Sequence, residues 1–177
     1  KHTFIGKTVD SMARRTLVKF DLVGTIPSDA TIVAVSLKLH MSKTMETVGH
    51  QPAYLHRVLT DWGEGSSNAP EEEGAGATAS RYDATWIHTF FNKSTWESEG
   101  GDFNFETSAV SSIEELAWYS WSSSKLVEDV QLWLEDPTKN FGWLLMGNEK
   151  KFPTSKRFDS REHPNEEMRP SLHITFE

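Results

Sequence analysis

The stretch IVAVSLKLHM, at positions 32–41, decides the fold class, because apolar and polar residues alternate along its whole length. One face of the extended chain carries Val33, Val35, Leu37, Leu39 and Met41. The other face carries Ala34, Ser36, Lys38 and His40. Successive side chains of a β-strand point to opposite faces, so this period of two predicts a strand with one buried and one solvated face. One-sided burial of this kind is typical of antiparallel sheets.

Short apolar segments elsewhere in the chain extend this β pattern. We expect further strands over positions 14–20, 53–59, 103–110, 116–121, 141–146 and 170–176. The segment at 141–146 is apolar throughout, which predicts burial on both faces. The last strand is expected to direct Leu172, Ile174 and Phe176 inward. No repeat or linker divides the sequence, so positions 1–177 are expected to form a single β-sandwich domain.

One segment has helical rather than strand spacing. Apolar residues recur three and four positions apart at Leu126, Val127, Val130, Trp133 and Leu134. Serines at 122–124 can cap the start of a helix, and Pro137 closes it. We therefore expect one short amphipathic helix at about 124–135, packed over one end of the sheets. The fold class that follows is all-β, a jelly-roll-like antiparallel β-sandwich with a single helix.

A long acidic loop is predicted at positions 61–84. It contains several glycines, Pro70 and three consecutive glutamates at 71–73, without apolar periodicity. Carboxylates on a flexible loop are the oxygen ligands that calcium prefers, so Asp61, Glu64 and Asp83 are candidate ligands of a structural calcium ion. The ligand spacing of known calcium loops is missing, and a solvated run of charges is the alternative interpretation.

Composition and charge restrict the classes of partner. Of 177 residues, 18 are Lys or Arg and 26 are Asp or Glu, which gives a net charge of −8. Nucleic-acid binding requires a basic surface, so we expect no nucleic-acid partner. No apolar run approaches the roughly 20 residues of a spanning helix, so no membrane insertion is expected. The absence of cysteine removes disulfides, thiolate nucleophiles and sulfur-ligated metals.

The sequence carries no recognisable catalytic motif. Phosphate-binding loops, dinucleotide fingerprints, two-histidine zinc helices and nucleophile elbows are all missing. We therefore expect no enzymatic activity and no cofactor apart from the calcium ion considered above. A polysaccharide lyase or hydrolase is the remote alternative, since paired carboxylates can meet in three dimensions.

Tryptophan is abundant, with seven residues. Trp133 lies in the apolar stripe of the helix and Trp143 in the buried strand, so both are predicted to be core residues. Trp62, Trp86 and Trp96 lie near loops, where exposed rings stack on sugars or anchor protein interfaces. His88 follows Trp86 by two positions and is a candidate member of the same carbohydrate-binding surface. The alternative is that the loop tryptophans cap the ends of the sandwich.

Several segments together carry a family resemblance. In chain order they are RTLVKFDL at 15–22, HRVLTDWGEG at 56–65, DATW at 83–86, NFGW at 140–143, DSREHP at 159–164 and RPSL at 169–172. The chain resembles the DNRLRE domains of large secreted bacterial and archaeal proteins, which are related to family 96 carbohydrate-binding modules. The resemblance implies a jelly-roll sandwich without catalytic residues, carried on an exported protein. For characterised relatives it implies binding of acidic polysaccharide, which the net negative charge opposes unless Arg14, Arg15, Lys19, Lys38 and Arg57 form a local basic surface.

The resemblance also implies that such domains begin one strand earlier than this sequence. We therefore expect a sandwich with an unfilled strand position, since a first strand would precede residue 1. Unpaired backbone groups at such a position are a template for strand addition, and filling by a neighbouring subunit produces head-to-tail filaments. A trimmed or disordered terminus is the alternative.

The expected function is accordingly a non-enzymatic structural or adhesive subunit of an extracellular or cell-surface assembly. Its partners would be like subunits or another chain that supplies an edge strand. The alternative is a carbohydrate-binding module that recognises polysaccharide through the loop tryptophans. The sequence starts without Met, so we expect a secreted product from which the signal peptide has been removed.

Overall fold

The computed structural model describes residues 2–44, 49–69, 73, 75–150 and 153–177. The chain is 37% strand and 11% helical, which confirms the predicted all-β class with a single α-helix among the described residues. The strands are β1 (His2–Lys7), β2 (Ala13–Val18), β3 (Ile32–Lys43), β4 (Gln51–Arg57), β5 (His88–Phe90), β6 (Ser94–Thr95), β7 (Ala109–Ile113), β8 (Trp118–Trp121), β9 (Trp143–Met146), β10 (Lys156–Asp159) and β11 (Ser171–Phe176). The helix is α1 (Ser124–Glu135).

Most strands belong to one curled antiparallel sheet. Its order is β11-β3-β10-β1-β2-β9-β4-β7, and β8 pairs with β3 off this path. β5 and β6 form a separate two-stranded hairpin. Both ends of the sheet contribute to one hydrophobic core, which makes the arrangement sandwich-like. Its largest fully buried members are Ile5, Leu37, Met41, Leu55, Ile113, Trp121, Leu126, Trp133, Trp143 and Phe158.

The helix has the predicted bounds, and its capping explains them. Ser123 is the N-cap, and its Oγ accepts a hydrogen bond from the backbone N–H of Leu126 at 3.0 Å. At the other end, a 3-10 turn begins at Pro137. The buried face of α1 includes Trp133, whose ring centroid lies 4.4 Å from that of Trp143, so the prediction of both as core residues is confirmed.

The expected inward face of β3 is correct from Val35 onward and wrong at Val33. Val33 is exposed and Ile32 is buried instead. The register between β3 and β11 shifts between Thr175 and Phe176, so one extra residue of β3 reverses the alternation there. Phe176 is exposed, contrary to the expected inward position, at the end of β11, which is an edge strand of the sheet.

A second, smaller cluster lies beneath the connection from β4 to β7. Val58, Trp96 and Leu144 are buried in it, and Phe103 packs against them. The strand expected over 103–110 is mostly absent, because Phe103 makes only a single bridge to Val58 and regular pairing begins with β7.

The predicted acidic loop forms no helix or strand among its described residues. Pro70, Glu71, Glu72 and Gly74 lie outside those residues. Within the described part of the chain, none of the helices has the length and apolar character needed to cross a bilayer.

Candidate strand-binding groove and aromatic cleft

The two halves of the sheet are joined through β1 and β2, which pair at only two positions. Gly6 lies opposite Arg14 and Lys7 opposite Ala13. Beyond these pairs no regular ladder joins the two strands, and on their other sides β1 pairs with β10 and β2 pairs with β9. One side-chain hydrogen bond continues across the opening, from Thr16 Oγ1 to the carbonyl oxygen of Phe4 at 3.0 Å.

A groove of about 570 Å³ opens where β1 and β2 diverge. Positions 16–21, which are the end of β2 and its extension, form one wall, and positions 159–161 form the opposite wall. Leu39 of β3 lies at its inner surface, and Trp62 and Pro170 also line it. We call this the β2–β10 groove. Its lining is largely apolar, and one wall is a strand that is paired with β9 on its other side.

Two exposed ion pairs lie at the rim of the groove. Lys19 Nζ lies 3.9 Å from Asp61 Oδ1, and Arg161 Nε lies 2.9 Å from Glu64 Oε1. Exposed pairs of this kind contribute little stability, so their partners can exchange at low cost.

Asp159 is a buried carboxylate on the groove wall, with 2% of its surface exposed. Its Oδ2 accepts a hydrogen bond from His40 Nδ1 at 2.6 Å. Its Oδ1 has no hydrogen-bond partner among the described residues and lies 3.4 Å from His2 Nε2. Burial raises the pKa of Asp159, but hydrogen bonds from His40 and Ser42 outweigh that effect, so its pKa lies below the ordinary value.

His2 extends this polar cluster to the acidic loop, because its Nδ1 donates to Glu73 Oε2. Nothing in the alternating pattern of β3 indicates that His40 pairs with a buried carboxylate. The sequence signal for this cluster is the crowding of charged residues at 156–163, because so many charges beside one strand cannot all face solvent.

Trp86 lies in a second, separate concavity. Its side chain is 40% exposed, and the guanidinium carbon of Arg15 lies 4.7 Å from its ring centroid. Arg15 is itself fixed, because Nε and Nη2 each donate to Glu149 at 2.8 Å and Nη1 donates to the carbonyl oxygen of Gly100 at 2.9 Å. Adjoining cavities of about 230 and 490 Å³ meet at Arg14, Thr85 and Trp86. We call this the Trp86 cleft.

Of the four residues predicted to bind carbohydrate, Trp86 and Trp96 line the same cavity, Trp62 lines the β2–β10 groove, and His88 lines neither. Trp96 is 6% exposed in the smaller cluster, and its Nε1 donates to the carbonyl oxygen of Thr85 at 2.9 Å. Trp62 lines the β2–β10 groove, and its Nε1 donates to the carbonyl oxygen of Phe141 at 2.8 Å. His88 Nδ1 lies 3.0 Å from Thr85 Oγ1, and the His88 ring packs edge-on against the ring of Phe91. Trp86 is therefore the exposed member of the set.

The three candidate calcium ligands each have other partners. Asp61 and Glu64 form the rim ion pairs described above. Asp83 is buried and accepts hydrogen bonds from the backbone N–H groups of Ser66 at 2.9 Å and Ser80 at 2.5 Å, and from the Ser67 hydroxyl. No group of three or more histidines and carboxylates placed to hold a metal ion occurs among the described residues.

No protein-family model matches this chain, and no curated protein matches it either. The resemblance to DNRLRE domains therefore stays a prediction, and any functional conclusion must rest on the groove and the cleft themselves.

Proposed function

We propose that the chain is a structural subunit of an extracellular assembly, in which the β2–β10 groove accepts an extended strand from a second copy. The observation that carries this proposal is that the ladder between β1 and β2 ends after two paired positions, beside a groove lined by β2. Past these positions only the Thr16 side chain bonds across to β1, so the main chain of β2 and its extension borders the groove without a regular ladder on that side.

The groove has the properties that strand addition requires. An added strand gains main-chain hydrogen bonds from an unpaired strand edge and places alternate side chains in the apolar interior. At about 3.3 Å per residue, the wall at positions 16–21 matches a strand of about six residues. Because the accepting and donated surfaces differ, each subunit both donates and accepts. Contacts of this head-to-tail kind that do not close into a ring produce filaments.

Blocking the groove tests this proposal directly. Ser160 is half-buried on the groove wall, so Ser160→Trp would fill the space that the strand needs. Ser122 is exposed and lies away from the groove, so Ser122→Trp is the matched control. We expect the wild type and Ser122→Trp to form concentration-dependent polymers in sedimentation and electron microscopy, while Ser160→Trp stays monomeric. A wild type that remains monomeric at millimolar concentration contradicts the proposal.

A second candidate function is polysaccharide binding at the Trp86 cleft, where such binding would give the subunit an adhesive role. The favouring observation is a half-exposed indole held between a stacked guanidinium and a polar concavity. Sugar rings present C–H faces that stack on aromatic rings, while their hydroxyl groups need polar partners such as Arg14 and Thr85.

Calorimetric titration with a panel of neutral and acidic polysaccharides tests this second function. Trp86→Ala should abolish binding to any polysaccharide that binds the wild type. Trp118→Ala is the control, since Trp118 is 42% exposed and lies on β8 instead of in the cleft. Equal affinity of both variants and the wild type would exclude the cleft as the binding site.

A further inference from the structure

The basic residues that could attract an acidic polysaccharide do not form one surface. Arg57 makes an ion pair with helix α1 at 2.9 Å, and Lys19 lines the β2–β10 groove. Lys38 is exposed on β3. Of the five basic residues considered from the sequence, Arg14 and Arg15 are the two that line the Trp86 cleft.

The charge of Arg15 is compensated inside the cleft. Its Nε and Nη2 donate to the two carboxylate oxygens of Glu149, each at 2.8 Å, and both side chains are mostly buried. A guanidinium and a carboxylate paired in this bidentate way satisfy each other in both charge and geometry. Arg15 therefore offers a stacking surface to a ligand but no net positive charge.

Carboxylates outnumber basic side chains in the larger cavity of the cleft. Its described lining residues include three carboxylates and two basic side chains: Glu64, Glu73 and Asp83 against Arg14 and His2. An acidic sugar would meet like charges here, and the juxtaposition of like charges weakens binding. The cleft therefore favours a ligand without charge.

An exposed aromatic surface extends away from the cleft. The guanidinium carbon of Arg15 lies 4.7 Å from the ring centroid of Trp86 and 5.6 Å from that of Phe103, so it contacts both rings. The ring centroids of Phe103 and Phe105 are 5.6 Å apart. Phe105 is 89% exposed, more than any other large apolar side chain in the described part of the chain. Exposed apolar surface bordered by polar groups is typical of a binding site.

We propose that the Trp86 cleft and this aromatic surface bind a neutral, linear polysaccharide, with one sugar ring on Trp86 and a later one on Phe105. This inference rests on the second proposed function and specifies its ligand. Neutral sugars stack their C–H faces on aromatic rings and need no opposite charge from the protein. Because Arg15 and Phe103 separate Trp86 from Phe105, the ligand must be a chain of linked sugars.

Calorimetric titration with hexasaccharides tests the class of ligand. The neutral probes are hexasaccharides of cellulose, xylan and mannan, and the acidic probe is hexagalacturonate. We expect at least one neutral probe to bind the wild type about tenfold more tightly than hexagalacturonate does.

Removing the carboxylate that compensates Arg15 tests the role of charge. Glu149→Gln should raise the affinity for hexagalacturonate about tenfold, because the Arg15 guanidinium then carries a net charge. Glu128→Gln is the matched control, since it removes an exposed carboxylate on α1 and changes the net charge of the protein equally. Its affinity for hexagalacturonate should equal that of the wild type.

Truncating Phe105 tests the extension of the site. Phe105→Ala should weaken binding of the neutral hexasaccharide about tenfold, with a melting temperature by circular dichroism close to that of the wild type. Leu116→Ala is the control, because Leu116 is also exposed but follows β7, whereas Phe105 precedes it.

The outcomes separate this inference from the second proposed function. If hexagalacturonate binds the wild type as tightly as the neutral probes and Trp86→Ala abolishes that binding, the neutral ligand is overturned while binding at the cleft stands. Equal hexagalacturonate affinity of Glu149→Gln and Glu128→Gln overturns the role of charge compensation. Equal affinity of Phe105→Ala and Leu116→Ala for the neutral probe overturns the extension to Phe105. If no polysaccharide binds the wild type, the second proposed function fails and this inference fails with it.

Discussion

Asp83 illustrates how a single residue organises the acidic loop. Its carboxylate accepts hydrogen bonds from backbone N–H groups at Ser66, Ser67 and Ser80, so it holds two distant parts of the loop together. Burial raises the pKa of Asp83, but the hydrogen bonds from Ser67, Ser80 and Ser66 lower it further, and its pKa lies below the ordinary value.

We expect Asp83→Asn to destabilise the protein by about 1–3 kcal/mol at pH 7, because a charged acceptor of several buried hydrogen bonds is lost. A carboxyl group whose pKa is lower in the folded state contributes stability above its unfolded pKa and loses it as the pH falls through the folded pKa. The difference between wild type and variant should therefore be constant from pH 7 to about pH 5 and shrink below about pH 4. Urea unfolding of both proteins across this pH range measures the difference in unfolding free energy. A difference that grows on acidification contradicts the assignment.

Some residue positions could be predicted from the sequence and others could not. The alternation of β3 correctly identifies Leu37, Leu39 and Met41 as core residues, since burial follows directly from the period of two. The prediction for Val33 is wrong because β3 has a bulge there. A bulge depends on the pairing with β11, which the local sequence of β3 does not show. The sequence predicts Asp83 as a calcium ligand, but it cannot show the backbone amides that reach this carboxylate, because those contacts depend on the folded loop.

At the scale of elements, α1 was the most predictable part of the fold. Its apolar spacing, its serine cap and the following proline all indicate the same bounds, and the structure has them at Ser124–Glu135. Such agreement between local signals is what makes a helix identifiable without tertiary information. Beyond capping, Asp129 anchors the helix to the sheet, because it accepts from Trp143 Nε1 at 2.9 Å and pairs with Arg57 Nε at 2.9 Å.

The cap is testable on its own. Ser123→Ala removes the acceptor for the Leu126 N–H and the hydroxyl that donates to the Ser108 carbonyl, so we expect a loss of about 1–2 kcal/mol of unfolding free energy. Ser122→Ala is the matched control, and its stability should stay within about 0.5 kcal/mol of the wild type. Chemical unfolding of the wild type and both variants measures these differences in unfolding free energy. Equal stability of the two would mean that Ser123 does not cap α1.

At the scale of the whole molecule, the sequence predicts the β class but not the order of strands. β1 pairs with β10, which lies about 150 positions away, and that pairing positions one wall of the groove. The expectation of an unfilled strand position came from a family resemblance, whereas the location of the groove depends on where β1 and β2 diverge. The Trp86 cleft likewise depends on Arg15 and Glu149, which are far apart in the sequence.

The net charge of the whole molecule is compatible with self-association only if the contact between two copies is specific. A net charge of −8 opposes non-specific association of copies, so a filament requires the directional pairing and apolar contacts that the groove offers.

A high-resolution electron-microscopy map of assembled particles tests the central claim most directly. We expect continuous density for an extended strand of a neighbouring subunit in the β2–β10 groove, running along positions 16–21. Particles whose subunits contact each other elsewhere, with the groove unoccupied, would contradict the account.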